Sequence, residues 1–262
     1  MSNVYITRKI KKENNLDMPN PDLSIVIPAY NEETRLPRTL AKLFTYLTSL
    51  GRPYEIIIVD DGSRDNTVHV MKEMQKVHPE LRLLSDGVNR GRGNAVKKGM
   101  AEALGTVVLE TDSDGSVNEE AIGRFLRAFD ADPELDAVFG SREMKGAKIM
   151  VWQPFLRVFL GYGFLYLSRV LFLMPHVTDF TLGFKMFRSE AAKDIFAHQF
   201  DPFYVAEAEK VYVAHIRGHK YIELPVEWTD DPDSRVRPFR DTFRSLKGLM
   251  MILLRRIAGK YR

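Results

Sequence analysis

The chain has 262 residues with 38 basic and 35 acidic side chains, and its formal charge at pH 7 is +3. Apolar residues account for 45% and charged residues for 28%, which is typical of a globular chain and excludes a disordered one. The absence of cysteine excludes disulfide bonds and thiolate metal sites. The length is sufficient for one large α/β domain or two small ones.

Positive charge is concentrated at the C-terminal end of the sequence. Residues 235–262 contain nine basic residues and one acidic residue, whereas residues 1–234 are net negative. A nucleic-acid-binding protein usually spreads positive charge over a whole face, so no nucleic-acid partner is expected. The distribution favours a body that performs chemistry and an end that contacts an anionic membrane surface.

No segment is predicted to cross a membrane or to direct secretion. Residues 1–20 lack the apolar centre of a signal peptide. The most apolar stretch, 155–174, is interrupted by Arg157 and Arg169, and the uncharged run between them is far shorter than the ~20 residues that a bilayer requires. We therefore expect a peripheral protein on the cytoplasmic face of a membrane.

Short apolar strands alternate with helical repeats in the first half of the chain. Strands are predicted at 23–27, 55–59, 81–84, 106–109 and 137–139, and helices at 36–50, 67–77, 94–104 and 119–129. This alternation is typical of an α/β fold with a mostly parallel, doubly wound sheet. Ligands of such sheets gather at the carboxyl ends of the strands.

The second half of the chain is less regular. Strands are predicted at 184–187 and 221–225, and helices at 155–174, 191–196, 205–217 and 242–257. The segment 155–174 carries six aromatic residues and is either a buried core helix or a helix that lies in a membrane interface and guides a lipid chain. The last helix combines an apolar run with basic residues, which is expected of docking on anionic headgroups.

Acidic or glycine-rich clusters follow three predicted strand ends, at 28–33, 60–67 and 112–115. Such residues also form ordinary turns and helix caps. On one edge of a sheet, however, their carboxylates repel each other unless something positive lies between them. Asp112 and Asp114 directly follow a buried strand and offer hard oxygen ligands to Mg²⁺ or Mn²⁺, with a substrate diphosphate completing the shell.

A glycine-rich loop at 89–95 could be taken for a dinucleotide-binding motif, but its pattern does not match one. Its G-x-G pattern, at Gly91 and Gly93, lacks the third glycine of a dinucleotide-binding fingerprint, because Val96 stands there. The alternative is a loop whose backbone and arginines approach a nucleotide. The sequence contains no G-x-x-x-x-G-K-[ST] phosphate loop, which argues against a P-loop ATPase or GTPase.

Taken in order, these motifs resemble family 2 glycosyltransferases of the GT-A fold, in the branch that transfers sugars to polyprenyl or dolichyl phosphate. The matching segments are 27–32, 59–63 with Asp65 and Thr67, 89–95, 112–114, 140–142, 179–185, Glu209, 224–228 and 234–236. Residues 112–115 and 228–229 are more similar to the dolichyl-phosphate glucosyltransferases of this branch, which implies UDP-glucose as the donor, with GDP-mannose as the alternative. The resemblance also implies Mg²⁺ or Mn²⁺ as the cofactor.

The resemblance implies three sets of site residues. The set expected to contact the nucleotide sugar is Pro28, Ala29, Tyr30, Asn31, Glu32, Asp60, Asp61, Gly62, Asn89, Gly91, Arg92, Gly93, Asp112 and Ser113. The acceptor phosphate is expected to contact Arg142, Lys185, Ser234 and Arg235, and the metal to bind Asp112 and Asp114. The full catalytic set is Asp112, Asp114, Arg142, Lys185, Glu207, Glu209 and Arg235.

Several of these residues also have ordinary structural interpretations. Lys185 and Arg235 are also consistent with solvated charges, and Glu207 and Glu209 with ion-pair partners of nearby basic residues. Three residues depart from the family pattern: Ser113 replaces Ala, Arg92 replaces Lys, and Glu207 replaces Asp. The Gln-Cys pair usual before Gly183 is also missing, so the sugar and acceptor stay open.

The expected reaction is an inverting displacement at the anomeric carbon of a nucleotide sugar. The acceptor phosphate has a second pKa near about 6, so it is already an anion at neutral pH and requires no strong base. The alternatives are an enzyme of the same fold with a soluble saccharide acceptor, and a nucleotide- or lipid-binding module without turnover. The expected organisation is a tail at 1–20, a GT-A domain at 21–236 with apolar interfacial helices at 155–175, and a basic amphipathic helix at 237–262.

Overall fold

The computed structural model describes residues 21–151, 155–203, 205–230 and 238–262. Its strands are β1 Leu23–Ala29, β2 Tyr54–Asp60, β3 Leu81–Ser85, β4 Val107–Glu110, β5 Ala137–Ser141, β6 Lys148–Val151, β7 Lys185–Arg188, β8 Tyr221–Pro225 and β9 Glu227–Thr229. Its helices are α1 Leu36–Leu50, α2 Thr67–Gln75, α3 Arg92–Glu102, α4 Glu120–Ala131, α5 Phe155–Phe172, α6 Ser189–Ala197, α7 Ala206–Ile216 and α8 Pro238–Ile257.

A seven-stranded sheet in the order β3-β2-β1-β4-β7-β5-β8 organises the described residues. Strand β7 runs antiparallel to both of its neighbours, β4 and β5, and the other neighbouring pairs are parallel. The prediction of an α/β fold with a mostly parallel sheet is confirmed. A second sheet pairs β6 with β9. It was not predicted, because strands of four and three residues are too short to show a periodic pattern.

The central strands are buried on both faces, as their continuous apolar sequences predict. All seven residues of β1 are buried. Ile25 and Ile27 point to the layer that contains α1 and α4, whereas Val26 points to the layer that contains α3 and α7. This arrangement leaves the carboxyl ends of β1, β2 and β4 side by side at one edge of the sheet, where the acidic clusters begin.

The apolar segment that begins at residue 155 forms one helix, α5, which contacts α8. It is not a buried core helix: Phe155 and Phe159 are 83% and 64% exposed, and only one narrow side, including Leu165 and Phe172, is buried. Among the described helices, none has the length and apolarity needed to cross a bilayer.

Candidate active site

The loop that follows β4 carries the two carboxylates of the predicted metal motif. Helix α1 holds this loop in place, because the Thr39 hydroxyl donates a hydrogen bond of 2.9 Å to the carbonyl of Ser113. The loop also turns on itself, with the Ser116 amide donating to Asp114 Oδ1 at 2.9 Å. Both carboxylates consequently reach the wall of one cavity.

The cavity has a volume of about 530 Å³ and two chemically different walls. Charged and polar side chains form one wall: Glu32, Arg35, Arg92, Asp112, Ser113, Asp114, Arg142, Glu143, Asp179, Thr181 and Glu207. Helix α5 contributes the apolar wall with Val158, Leu160, Gly161, Tyr162, Phe164 and Leu165. Such a cavity suits a ligand with a polar head and an apolar chain, and the carboxylates of the polar wall would need a cation beside an anionic head.

Arg142 is fixed against the polar wall by a bidentate ion pair with Asp179. Its Nε lies 2.8 Å from Asp179 Oδ2 and its Nη2 lies 3.0 Å from Oδ1. The Nη2 group also donates to Thr181, and the guanidinium lies 5.4 Å from the ring centre of Trp228. Burial by itself would raise the pKa of Asp179, but the charge and hydrogen bonds of Arg142 outweigh it and lower the pKa to about 2. Among the described residues, Arg142 Nη1 makes no hydrogen bond, so it remains able to bind an anionic ligand.

A mostly buried charge cluster includes Asp112 of the carboxylate motif and extends behind it. It consists of three cations and three anions: Arg92, Lys185, Lys210, Glu110, Asp112 and Glu207. Arg92 Nη2 lies 2.7 Å from Asp112 Oδ1, and Arg92 also contacts Glu110 and Glu207. The opposite charges offset part of the desolvation that burial imposes.

Glu207 lies at the centre of this buried charge cluster. Its Oε2 accepts a hydrogen bond of 2.7 Å from Lys185, and its Oε1 accepts one of 2.6 Å from Lys210 and another from Arg92. Burial would raise the pKa of Glu207, but these three cations hold it well below its usual value. Burial and the neighbouring charge of Glu207 raise the pKa of Glu110 instead. Glu207 is therefore the permanent anion of the cluster.

Two residues of the expected catalytic set, Lys185 and Glu209, do not line the cavity. Lys185 is fully buried and lies behind the cavity wall, where its ammonium donates to the Leu182 carbonyl and to Glu207. In this position Lys185 reaches the cavity through Glu207, and its expected contact with an acceptor phosphate stays a prediction. Glu209 is likewise fully buried and does not line the cavity, and it accepts hydrogen bonds from Arg255 and Tyr261.

The loops predicted to bind the nucleotide lie side by side at the carboxyl ends of β1 and β2. Asp61 accepts backbone hydrogen bonds from Arg90 at 2.7 Å and from Gly91 at 3.0 Å, and burial raises its pKa. A side chain at Gly62 would place its Cβ 2.6 Å from the amide of Asn89, so only glycine allows this approach. The expected nucleotide residues are thus in one region, with Glu32, Arg92, Asp112 and Ser113 reaching the cavity.

Ser234 and Arg235 lie outside the described residues. Sequence reasoning assigned no site role to Glu110, Asp179, Gly183 or Lys210. Asp179 and Gly183 lie inside a matched segment, and Glu110 directly follows the predicted strand at 106–109 beside the metal motif, so each carried a local signal. Lys210 carried none, because only the packing of α7 against β4 brings it to Glu110.

The family model described as "Glycosyl transferase family 2" matches residues 24–196. The chain belongs to glycosyl transferase family 2. Over 257 residues it is 33% identical to the dolichyl-phosphate beta-glucosyltransferase of Mus musculus, with 94% of this chain and 79% of the relative covered. It is 30% identical to the protein of the same name from Saccharomyces cerevisiae over 256 residues, with 92% and 76% covered. The protein is a glycosyltransferase, as its motifs predicted.

Solved structures of other glycosyltransferases share the fold of this family 2 enzyme. A glucosyl-3-phosphoglycerate synthase from Mycobacterium tuberculosis, in complex with Mn²⁺ and UDP-glucose, has a TM-score of 0.63 at 18% identity and covers 90% of this chain and 79% of its own. A mannosyltransferase from Pyrobaculum calidifontis, in complex with GDP-Man and Mn²⁺, has a TM-score of 0.55 at 18% identity and covers 88% and 65%. At these identities the likeness concerns the fold, and it agrees with the predicted GT-A class.

Proposed function

We propose that this glycosyltransferase transfers glucose from UDP-glucose to dolichyl phosphate or a related polyprenyl phosphate. One observation carries the proposal: the cavity joins a charged wall, with Asp112, Asp114 and Arg142, to an apolar wall supplied by α5. A lipid phosphate has the same two parts, an anionic head and a hydrocarbon chain. The names of the relatives support the same donor sugar and acceptor.

The donor end of the cavity has the chemistry that a divalent cation needs. Asp112 and Asp114 supply oxygen ligands only, which suits Mg²⁺ or Mn²⁺. Within the described residues no group of three or more acidic or histidine side chains is placed to hold a metal ion by itself, so the donor's diphosphate would complete the shell. When bound, the ion would supply positive charge for the nucleoside diphosphate leaving group.

The acceptor end needs a positive charge rather than a base. With a second pKa of about 6, a phosphate monoester is already an anion at neutral pH. Arg142 is held rigidly by Asp179 at the cavity wall, so it would bind an anion there without having to be reoriented. Direct attack by the acceptor on the anomeric carbon inverts that centre, which yields a β-linked product from an α-linked donor.

Exposed apolar residues of α5 and α8 support peripheral binding to a membrane. Phe155, Phe159 and Val170 project from α5, and Phe243 and Ile257 project from α8. Basic residues of α8 would add about 1 kcal/mol each near anionic headgroups. Membrane contact by these exposed residues of α5 and α8 would bring the apolar wall of the cavity close to the acceptor lipid.

The experiment that tests this function measures transfer of labelled glucose to a lipid phosphate. Purified protein, Mn²⁺, UDP-glucose and polyprenyl phosphate should yield labelled lipid in the organic phase, and GDP-mannose should be a poor donor. Asp114→Asn should abolish transfer, because it removes a carboxylate from the cavity. Asp130→Asn is the matched control, since Asp130 pairs with Arg52 away from the cavity. Transfer to a soluble phosphate ester alone, or full activity in Asp114→Asn, would overturn the proposal.

A further inference from the structure

Glu209 is a buried carboxylate that joins two distant parts of the chain. Its Oε2 accepts backbone hydrogen bonds from Phe200 at 2.9 Å and Asp201 at 2.6 Å, in the loop between α6 and α7. Its Oε1 accepts hydrogen bonds from Arg255, at 3.0 Å, and from the Tyr261 hydroxyl, both at the C-terminal end of the chain. Glu209 therefore forms a junction, in which Oε2 binds the loop between α6 and α7 and Oε1 binds the C-terminal residues.

The loop at 198–203 in turn holds the start of α3. The Gly93 amide donates a hydrogen bond of 2.9 Å to the carbonyl of Pro202, and the Lys97 ammonium donates one of 2.9 Å to the carbonyl of Gln199. There is no spare room at this contact, because a Cβ on Gly93 would lie 2.5 Å from the carbonyl oxygen of Asp201. A displacement of the loop must therefore displace the first turn of α3.

The first residue of α3 is Arg92, which reaches the metal motif. Its guanidinium contacts Asp112 through Nε at 2.9 Å and through Nη2 at 2.7 Å. A continuous series of contacts thus runs from Tyr261 through Glu209 and the loop at 198–203 to Arg92 and Asp112.

The C-terminal end is packed firmly enough to transmit this restraint. Tyr261 is 4% exposed, and its carbonyl accepts a hydrogen bond of 3.1 Å from Arg217. Its ring lies 5.8 Å from that of Phe200 and 6.0 Å from that of Tyr212. Burial and the charge of Glu209 raise the pKa of Tyr261, so its hydroxyl stays protonated and continues to donate.

We infer that Glu209 is a positioning residue, through which the C-terminal residues Arg255 and Tyr261 hold the glycine-rich loop in the geometry that binds the nucleotide sugar. The inference rests on the proposed function, because it concerns the donor end of the same cavity. It replaces the catalytic role that the resemblance implied for Glu209. It also gives the C-terminal end of the chain a second task besides contact with a membrane.

The test measures UDP-glucose binding by calorimetry in Mn²⁺ without membranes, so that lipid binding does not affect the result. Tyr261→Phe removes one hydrogen-bond donor to Glu209 and keeps the aromatic ring. Glu209→Gln replaces one of the two accepting oxygens by an NH₂ group, so the hydrogen bonds of one side are lost. We expect each to raise the Kd for UDP-glucose by about tenfold and to leave the KM for the lipid phosphate unchanged. Arg255→Lys should bind UDP-glucose more tightly than Arg255→Met, because it keeps a cation beside Glu209.

Tyr54→Phe is the matched control, because it also removes a hydroxyl that donates to a glutamate, in this case Glu80 at 3.3 Å. Tyr54 lies at the start of β2, and the opposite end of that strand faces the site. It should leave the Kd for UDP-glucose unchanged. Melting temperatures that fall in Tyr261→Phe while the Kd for UDP-glucose stays at the wild-type value would overturn the inference, since Glu209 would then be only structural. Tyr261→Phe decides the question if Glu209→Gln does not fold. Failure of the wild-type protein to bind any nucleotide sugar would refute the proposed function instead.

Discussion

Gly183 lies where any side chain would displace a carboxylate of the metal motif. A Cβ built at this position lies 2.6 Å from Asp112 Oδ2 and 3.1 Å from Asp112 Cγ, and it also collides with Arg92. Since ordinary contacts of this kind are about 3.5 Å, the Asp112 carboxylate must move by about 1 Å in Gly183→Ala. Gly183 does not have a positive φ, so this contact, rather than backbone strain, determines the effect.

The expected cost of Gly183→Ala falls on activity more than on stability. A misplacement of about 1 Å in a reacting constellation can cost about 100-fold in rate, so we expect a loss of that order in kcat/KM. Crowding one methyl group into a packed site costs about 1–3 kcal/mol of folding free energy, which a domain of this size tolerates. The KM for Mn²⁺ should also rise, because Asp112 is a proposed ligand.

The assay compares Gly183→Ala with Gly163→Ala in UDP-glucose binding and in lipid glucosylation. Gly163 is in α5, where a Cβ meets nothing within 4 Å, so its replacement tests the same chemical change without a collision. We expect this control to bind UDP-glucose normally and to gain up to about 1 kcal/mol of stability from the better helix former. Wild-type binding and turnover in Gly183→Ala would refute the proposed geometry at Asp112.

Three further predictions concern charge and the apolar faces. Lys210→Met should lower the free energy of urea unfolding by about 3–5 kcal/mol, because it leaves Glu110 and Glu207 short of a cation, and Glu110→Gln in the same chain should restore part of it. Asp179 has a folded pKa of about 2 against an ordinary 3.8, so it stabilises the fold by about 2 kcal/mol above pH ~4, and this contribution is lost as the pH falls toward 2. Unfolding of Asp179→Asn should lack that acid slope. Ile257→Ser should weaken sedimentation with anionic vesicles by about tenfold, because Ile257 is 82% exposed on α8.

The sequence predicted the sheet well because its signals are local. The apolar runs of β1 and β2 and the helical repeat between them can each be recognised within a few residues of sequence. Short connections then keep these elements next to each other in the fold. The carboxylate motif was located for the same reason, since a strand end determines where the next residues lie. The crossing of β7 between β4 and β5 was not predicted, because strand order depends on contacts between distant segments.

Side-chain roles were harder to predict than positions. The resemblance placed Lys185 and Glu209 in the catalytic set, yet both are fully buried and face other elements. Direction of a side chain depends on tertiary packing, which periodicity does not encode. The structural alternative for Glu207, a partner of nearby basic residues, describes what the structure shows, although Glu207 also reaches the cavity wall.

Two departures from the family pattern turn out to touch each other. Arg92, where the resemblance implied Lys, donates directly to Glu207, where the resemblance implied Asp. The forked guanidinium contacts Glu207, Glu110 and Asp112 together, whereas a single ammonium is a point charge with a shorter lateral reach. The longer arm of Glu207 reaches both Lys185 and Lys210 as well. The geometry therefore indicates that the two residues act as a unit.

A double-mutant cycle tests this unit directly. We expect Arg92→Lys and Glu207→Asp each to weaken UDP-glucose binding, because each breaks the contact between the two residues. The double variant should be less impaired than the sum of the single effects, with a coupling of about 0.5–3 kcal/mol, as found for residues in contact. If the free-energy effects of the two single variants simply add in the double variant, Arg92 holds Asp112 without help from Glu207. The buried charge cluster would then contribute to folding and not to UDP-glucose binding.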